Sequence, residues 1–438
     1  MPEASWDADS LREAWPSMEL EDRASAFAAL QRSDADDFFL ELSAQDQAAI
    51  LVALPNGERR LWMRLLAPDD AVDVIQEVED EDQKTALLEI LDASTRNEVR
   101  ALLAYAEDAA GGLMSPRFAR LRPDMTVAEA IRYLRRQARE ELETIYYAYV
   151  LDQDQKLLGV ISFRDLFATA GDRVISDVML TDVVSVADSL DQEEVAKVIA
   201  QYDLNALPVV DADNRMQGIV TVDDIVDVVQ DAATEDIQKL GGMEALDTPY
   251  MQTGMLSMIK KRAGWLAALF LGEMLTASAM SRYEDEIAKA VVLALFVPLI
   301  ISSGGNSGSQ ATTLIIRAMA LGEVTVRDVW RIVRRELTAG FALGVILAAI
   351  GLVRILVWQQ LFHSYGEHYV QVAATVATSL LGVVTWGTLV GSMLPFAIRG
   401  LGFDPASASA PFVATLVDVC GLMIYFNVAS IILRGSML

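Results

Sequence analysis

Asp418 lies inside the apolar run DPASASAPFVATLVDVCGLMIYF (404–426), well away from either end of the stretch. An unpaired carboxylate there costs several kcal/mol and is by default a functional group. On a helix, Pro411, Ala414, Asp418 and Gly421 share one face through i, i+3, i+4 spacing. Ala414, one turn from Asp418, leaves room for a hydrated ion; the other reading makes Asp418 a hydrogen-bonded helix contact. A second polar segment, Pro298-Leu-Ile-Ile-Ser-Ser-Gly-Gly-Asn-Ser-Gly-Ser-Gln310, interrupts another apolar run. A broken helix at that depth is tolerated only beside protein or a water-filled path. Asn306 and Gln310 favour the path, whereas close helix packing through small residues would also account for the glycines. Glu273 in LGEMLTASAM is the other deep acid, either lining the path or pairing with a Ser or Thr. Asp404 precedes Pro405, which suits a helix N-cap and also allows a peripheral cation contact.

One aspartate cannot build a selective divalent site, but a symmetric dimer duplicates it. Two carboxylates across an axis can hold a cation through its own water shell. Mg²⁺ gives up water reluctantly, so a wide site with few carboxylates suits it, although the argument reaches only a divalent cation.

The elements that must place these groups are apolar stretches at about 263–281, 287–315, 337–361, 370–398 and 408–433. Each is long enough to cross a bilayer core, which takes about 20 helical residues. An odd number of spans puts the two ends of the domain on opposite sides. Lys260 to Arg262, Arg317, Arg327, Arg331, Arg334, Arg335 and Arg399 fall on one side, while SRYEDEIAK and HSYGEHY carry no such excess. The basic side is expected to be cytoplasmic.

The rest of the chain follows different rules. Residues 1–254 carry 22 Lys and Arg against 52 Asp and Glu, whereas residues 255–438 carry 13 against 10. The acidic part repels phosphate, which excludes nucleic acid as a partner and favours cations. MPEASWDADS lacks the basic and apolar regions of a signal peptide, so the acidic part is expected in the cytoplasm. The single cysteine, Cys420, excludes an intrachain disulfide framework, and His363 and His368 read as loop residues rather than a zinc site. No nucleophile elbow, P-loop or HExxH motif is present, so the chain is not read as an enzyme.

Residues 1–112 hold a weak repeat, at 38–55, 61–78 and 86–103, with apolar residues at helical spacing and Ser43, Pro68 or Asp92 near a helix start. Stacked short helices, an acidic α-solenoid, are expected. A longer repeat follows over 113–229, with copies at about 113–172 and 173–229. Each copy is read as strand, helix, strand, strand, helix. They resemble a tandem pair of α/β CBS domains, whose closing G-h-h-[ST]-x-x-D stands here as Gly159 to Asp165 and Gly218 to Asp224. Residues 230–262 are expected to form a connecting helix that plugs the pore entrance, although Gly241, Gly242 and Pro249 are breakers. Residues 263–438 form the five-helix transmembrane domain, giving a multi-domain membrane protein.

The PLIISSGGNSGSQATTLIIRA run, the DPAxxxxPxxATLxD run, two CBS copies and an acidic helical N-terminal domain, in one chain, resemble the bacterial MgtE magnesium channel family. The resemblance implies a homodimer in the bacterial inner membrane with its N-terminus in the cytoplasm. It further implies a Mg²⁺ pore lined by spans two and five and closed by a cytosolic Mg²⁺ sensor. Asp418 then matches the pore ligand, Ala414 its neighbour, Asn306 the pore asparagine and Asp404 an acid near the cytoplasmic mouth. Asp191, Glu193, Asp203, Asp224, Asp227, Glu235 and Asp236 match sensor acids, and Asp37 and Asp69 match acids of the N-terminal domain. Ala232 stands where the family has an acid. The bland reading of each acid is a solvated surface residue. As a set, clustered carboxylates spread apart unless a cation bridges them, which makes a switch. The CBS resemblance adds ATP as a candidate ligand through Ser162, Asp165, Thr221 and Asp224. An ion-coupled carrier using Glu273, and a non-conducting Mg²⁺ or nucleotide sensor, are the competing functions.

Overall fold

The computed structural model describes residues 6–434 apart from 19, 138–141, 143, 145, 247 and 252. The chain divides into two compact units, Met1–Ala232 and Ala233–Leu438.

The first unit opens with short helices α1 (Ala8–Ala14), α2 (Leu20–Ala28), α3 (Arg32–Leu40), α4 (Ala44–Ala53), α5 (Asn56–Met63), α6 (Pro68–Gln76), α7 (Glu81–Ile90), α8 (Ala93–Leu102) and α9 (Ala110–Leu113). The starts fall where local chemistry puts them. The Ser43 hydroxyl accepts the Asp46 N–H, Pro68 opens α6 where its missing N–H costs nothing, and the Asp92 carboxylate caps α8. Helices α4, α6 and α8 stack in sequence and bury one apolar face each.

Two αβ copies follow. The first contains β1 (Ala119–Leu121), α10 (Val127–Gln137), β2 (Tyr147–Leu151), β3 (Leu157–Ser162) and α11 (Phe163–Ala168). The second contains β4 (Val186–Ala187), α12 (Gln192–Tyr202), β5 (Ala206–Val210), β6 (Met216–Thr221) and α13 (Val222–Leu240). In each sheet the first strand pairs parallel to the second and the second antiparallel to the third. The two copies exchange their opening segments: Ser115 bridges to Ile219 of β6, and Leu180 bridges to Val160 of β3. This crossing explains the motif glycines. A Cβ on Gly218 would lie 2.7 Å from the Ser115 carbonyl oxygen, and one on Gly159 would lie 2.8 Å from that of Leu180. The helical core continues through Leu102, Ala110 and Met114 to Val195, Leu207 and Ile225 of the second copy, so α6 and the start of α13 belong to one packed body.

The second unit holds the last turns of α13 and, among the described residues, five helices long and apolar enough to cross a membrane. They are α14 (Met255–Arg282), then α15 (Glu284–Lys289) and a 3₁₀ turn (Val291–Phe296) leading into α16 (Val297–Ala320), followed by α17 (Val329–Phe362), α18 (Tyr369–Gly400) and α19 (Ala410–Ile432). Helices α16, α18 and α19 pack together, α17 lies on α18, and α14 lies on α19.

Two expectations are corrected here. The glycine-rich segment does not break its helix, because α16 runs unbroken from Val297 to Ala320. Its irregular backbone precedes it, in the 3₁₀ turn, and Pro298 occupies the first helical turn. The glycines serve contact instead: a Cβ on Gly391 would fall 2.1 Å from the Gly308 carbonyl oxygen, and one on Gly387 2.5 Å from that of Gly304. Nor is 230–262 one helix. The α13 helix begins at Val222 and ends at Leu240, Gly242 takes a left-handed φ of +74°, and α14 starts at Met255. Lys260, Lys261 and Arg262 therefore belong to the first turns of the first span helix.

Candidate functional site

Within the span helices, α16 presents two faces. Gly304, Gly305 and Gly308 are buried, whereas Ser302, Asn306 and Gln310, at i+4 spacing, are exposed on the protomer. The Asn306 amide donates to the Ser302 hydroxyl at 3.3 Å. The remaining hydroxyls of the segment satisfy neighbouring backbones: Ser309 donates to the Ala410 carbonyl at 3.1 Å and Thr312 to that of Gly391 at 2.8 Å. Helix packing and a polar stripe thus coexist on one helix.

Gly305 is where α16 meets the face of α19 that carries Asp418. A Cβ there would stand 3.3 Å from Ala414 Cβ and 3.5 Å from Asp418 Oδ1. Ala414 and Asp418 are each half-buried, one turn apart on the same side. Helix α14 closes on α19 next to them, since a Cβ on Gly272 would lie 2.9 Å from Thr415 Cγ2. Glu273 follows Gly272 and interacts electrostatically with Asp418. The charge of Glu273 thus acts on Asp418, a coupling that the sequence pattern did not reveal.

Asp404 caps the 3₁₀ turn Pro405–Ser407 that leads into α19, whose own cap is Ser409, and it does two things. One carboxylate oxygen accepts the Ala406 N–H at 2.8 Å, the cap read from Asp-Pro; the other takes Lys239 Nζ at 2.6 Å. Lys239 also pairs with Glu235, one turn back on α13. Asp236 is pushed above the usual carboxylate range, first by partial burial and then by the charge of Asp404. The separation of 165 positions between Lys239 and Asp404 hides this pairing from any local reading.

In the first unit a second acidic group forms where α6 meets α13. Burial raises the Asp73 carboxyl to about 7, and Asp70, Asp224, Glu107 and Glu77 add to the effect. Asp70 is also raised, through burial and then Asp223. Asp73 reaches solvent, but a crowd of protein atoms and like charges surrounds it. Of these residues the sequence reading named only Asp224. The signal was present, because Asp70 and Asp73 on α6 and its C-cap residue Glu77 recur at i+3 and i+4, away from its apolar side. Asp69 is buried on the same helix, and Asp37 is exposed on α3. Asp191 caps α12 by accepting the Glu193 N–H at 2.9 Å, and Asp203 ends that helix at φ +50°. Glu193 lies in the first turn of α12. Asp231 is raised by burial and then by Asp227, one turn before it. Among the described residues no three acids converge closely enough to hold a bare ion.

The closing motif of each CBS-like copy makes the same cap. Ser162 Oγ donates to Asp165 Oδ2 at 2.6 Å, and Thr221 Oγ1 donates to Asp224 Oδ2 at 2.7 Å. Ser162 and Asp165 reach solvent, whereas Thr221 is buried.

Residues 297–428 match the family described as MgtE, divalent cation transporter; residues 6–108 match the MgtE intracellular N domain; residues 110–171 and 175–231 match the CBS domain. The magnesium transporter MgtE of Thermus thermophilus is 40% identical over 423 residues, 96% of this chain and 92% of that one. The chain belongs to the MgtE family. Its MgtE relatives include the magnesium transporters of Enterococcus faecalis, 37% identical over 77% of this chain and 72% of that one, and of Bacillus subtilis, 32% identical over 89% and 92%. A crystal structure described as the cytosolic domain of the Mg²⁺ channel MgtE in complex with ATP is 41% identical, covers 51% of this chain and 90% of its own, and superposes with a TM-score of 0.47. The N-terminal helices, the CBS pair and the five apolar helices are thus the parts of an MgtE protein.

Proposed function

We propose that this chain is a Mg²⁺ channel of the bacterial cytoplasmic membrane, acting as a homodimer with its acidic part in the cytoplasm and closed by cytosolic Mg²⁺. The observation that carries the reading is the Asp418 carboxylate, set in a span helix beside Gly305 and Ala414, with no hydrogen bond or ion pair among the described residues. Small residues around it leave a hydrated cation room, and duplication by a dimer axis supplies the second negative charge. The Asn306 stripe supplies amide and hydroxyl oxygens to the shell of bound water. The 40% identity to a magnesium transporter over almost the whole chain supports Mg²⁺ as the cargo.

Closure rests on the two acidic groups. Carboxylates drawn together between α6 and α13 repel one another until a cation or a proton lies among them, so Mg²⁺ favours the compact arrangement. Asp37, Asp69, Asp191, Glu193, Asp203, Asp227 and Asp231 contribute to the field that attracts the ion. Glu235, Asp236 and Asp404 act at the pore mouth. ATP is assigned to the first CBS copy, where Ser162 and Asp165 reach solvent. Thr221 is buried, and Asp224 sits among acids that repel phosphate.

Asp418→Asn tests the pore assignment. Mg²⁺ uptake is expected to fall at least about tenfold, the effect of ~1.4 kcal/mol lost at the ion, with assembly and thermal stability kept. Wild-type flux through a folded Asp418→Asn protein would refute it. A coupled carrier is favoured by the charge of Glu273 acting on Asp418. Under that reading Glu273→Gln makes transport independent of the proton gradient; under the channel reading it leaves the driving force unchanged.

A further inference from the structure

Lys239 is the cation already present among the carboxylates of the pore mouth. Its ammonium lies between Glu235, one turn back on α13, and Asp404 Oδ2 at 2.6 Å. Asp236 joins the same group through the charge of Asp404. Asp404 is held still for the contact, since its other oxygen accepts the Ala406 N–H at 2.8 Å. The end of α13 is seated around this ion pair. Leu240 packs with Ile316, Ala406 and Ala408, and Gly242 lies so near the start of α19 that a Cβ on it would stand 3.3 Å from Ser409 Oγ and from Pro411 Cγ.

Without a counter-charge, Glu235, Asp236 and Asp404 would push α13 away from α19. A single ammonium offsets part of that repulsion. A divalent ion offsets more, and the four-carbon stem of lysine lets its head swing aside. We infer that Lys239 is a tethered stand-in for the divalent cation: it keeps the end of α13 docked on the start of α19 when Mg²⁺ is scarce and is displaced when Mg²⁺ binds these carboxylates. The inference rests on the reading of this group as a Mg²⁺ site. It adds that the docked state has a built-in holding charge, so the connector is never released completely.

Hydrogen exchange of residues 233–242, in the full-length protein in lipid nanodiscs with and without Mg²⁺, tests it without reference to conduction. Lys239→Met should exchange about fivefold faster than wild type in Mg²⁺-free buffer, as expected for a lost, partly exposed ion pair. Saturating Mg²⁺ should return it to the wild-type rate. Lys239→Arg should keep wild-type protection without Mg²⁺. Asp404→Asn, which retains an oxygen for the Ala406 N–H and leaves the Lys239–Glu235 pair intact, should also exchange faster without Mg²⁺, separating loss of docking from fraying of α13. Equal protection of wild type and Lys239→Met without Mg²⁺ would overturn the inference. So would a Lys239→Met protein that Mg²⁺ cannot restore while wild type still responds, because Lys239 would then be a fixed structural clamp. A wild type whose exchange ignores Mg²⁺ would overturn the Mg²⁺ reading of the group itself.

Discussion

Asp73 reaches solvent, but the protein atoms crowded around it and four neighbouring acids push its carboxyl to about 7, so it holds a proton at a pH where an ordinary aspartate does not. In the unfolded chain the same group titrates near about 4. Between those values the folded protein binds more protons, so this residue's contribution to stability is present at low pH and is lost as pH rises toward 7. In Mg²⁺-free buffer the unfolding temperature of the N-terminal unit should therefore fall between about pH 4 and pH 7. Asp73→Asn should flatten that dependence and raise stability at the upper end, and calorimetry on both proteins checks it; a slope unchanged by the substitution contradicts the assignment. At this scale the sequence was legible wherever chemistry is local. Ser43 and Asp92 cap where their types say they should, and Asp404 caps the 3₁₀ turn before α19 rather than α19 itself, which Ser409 caps. It was not legible where charge meets charge across the fold, as for Asp73 with Asp224 or Glu273 with Asp418, because their approach depends on how helices pack.

Helices α16 and α18 touch backbone to backbone, and side-chain volume at the crossing is forbidden rather than merely disfavoured. Gly391→Ala sets a methyl 2.1 Å from the Gly308 carbonyl oxygen, which has no flexible tip to move away. The two helices must separate, at a cost of about 1–3 kcal/mol typical of overpacking. A lower unfolding temperature and poor recovery of assembled protein are expected. Gly400→Ala, with no atom within 4 Å of its new Cβ, should leave stability nearly unchanged. Thermal unfolding in detergent compares them, and equal stability of the two variants would show that the crossing is loose. The same contact explains why the glycine run read as a broken helix. Glycines that weaken an isolated helix are what allow this one to lie against α18, and composition alone does not separate the two uses. The connector was misjudged for a related reason. Helix-forming residues extend on both sides of Gly241-Gly242, but the left-handed Gly242 ends α13 where it meets α19.

The chain as a whole divides between two solvents. All of its acidic excess precedes Met255, where the first of the five apolar helices begins. A chain beginning at Met255 should still assemble and pass Mg²⁺ but should no longer be inhibited by cytosolic Mg²⁺, because Asp73, Asp224, Glu235 and Asp236 leave with the removed part. Flux into vesicles at fixed external and varied internal Mg²⁺ checks this; retained inhibition would place the gate within the spans. The architecture was legible at this scale because water and lipid select opposite compositions. The measurement that bears most directly on a Mg²⁺-gated channel is recording from single full-length proteins in a bilayer while Mg²⁺ on the cytosolic side is raised. Discrete openings that grow rarer and then cease as Mg²⁺ rises are the predicted result. Transport without unitary openings, or openings whose frequency is indifferent to cytosolic Mg²⁺, would contradict it.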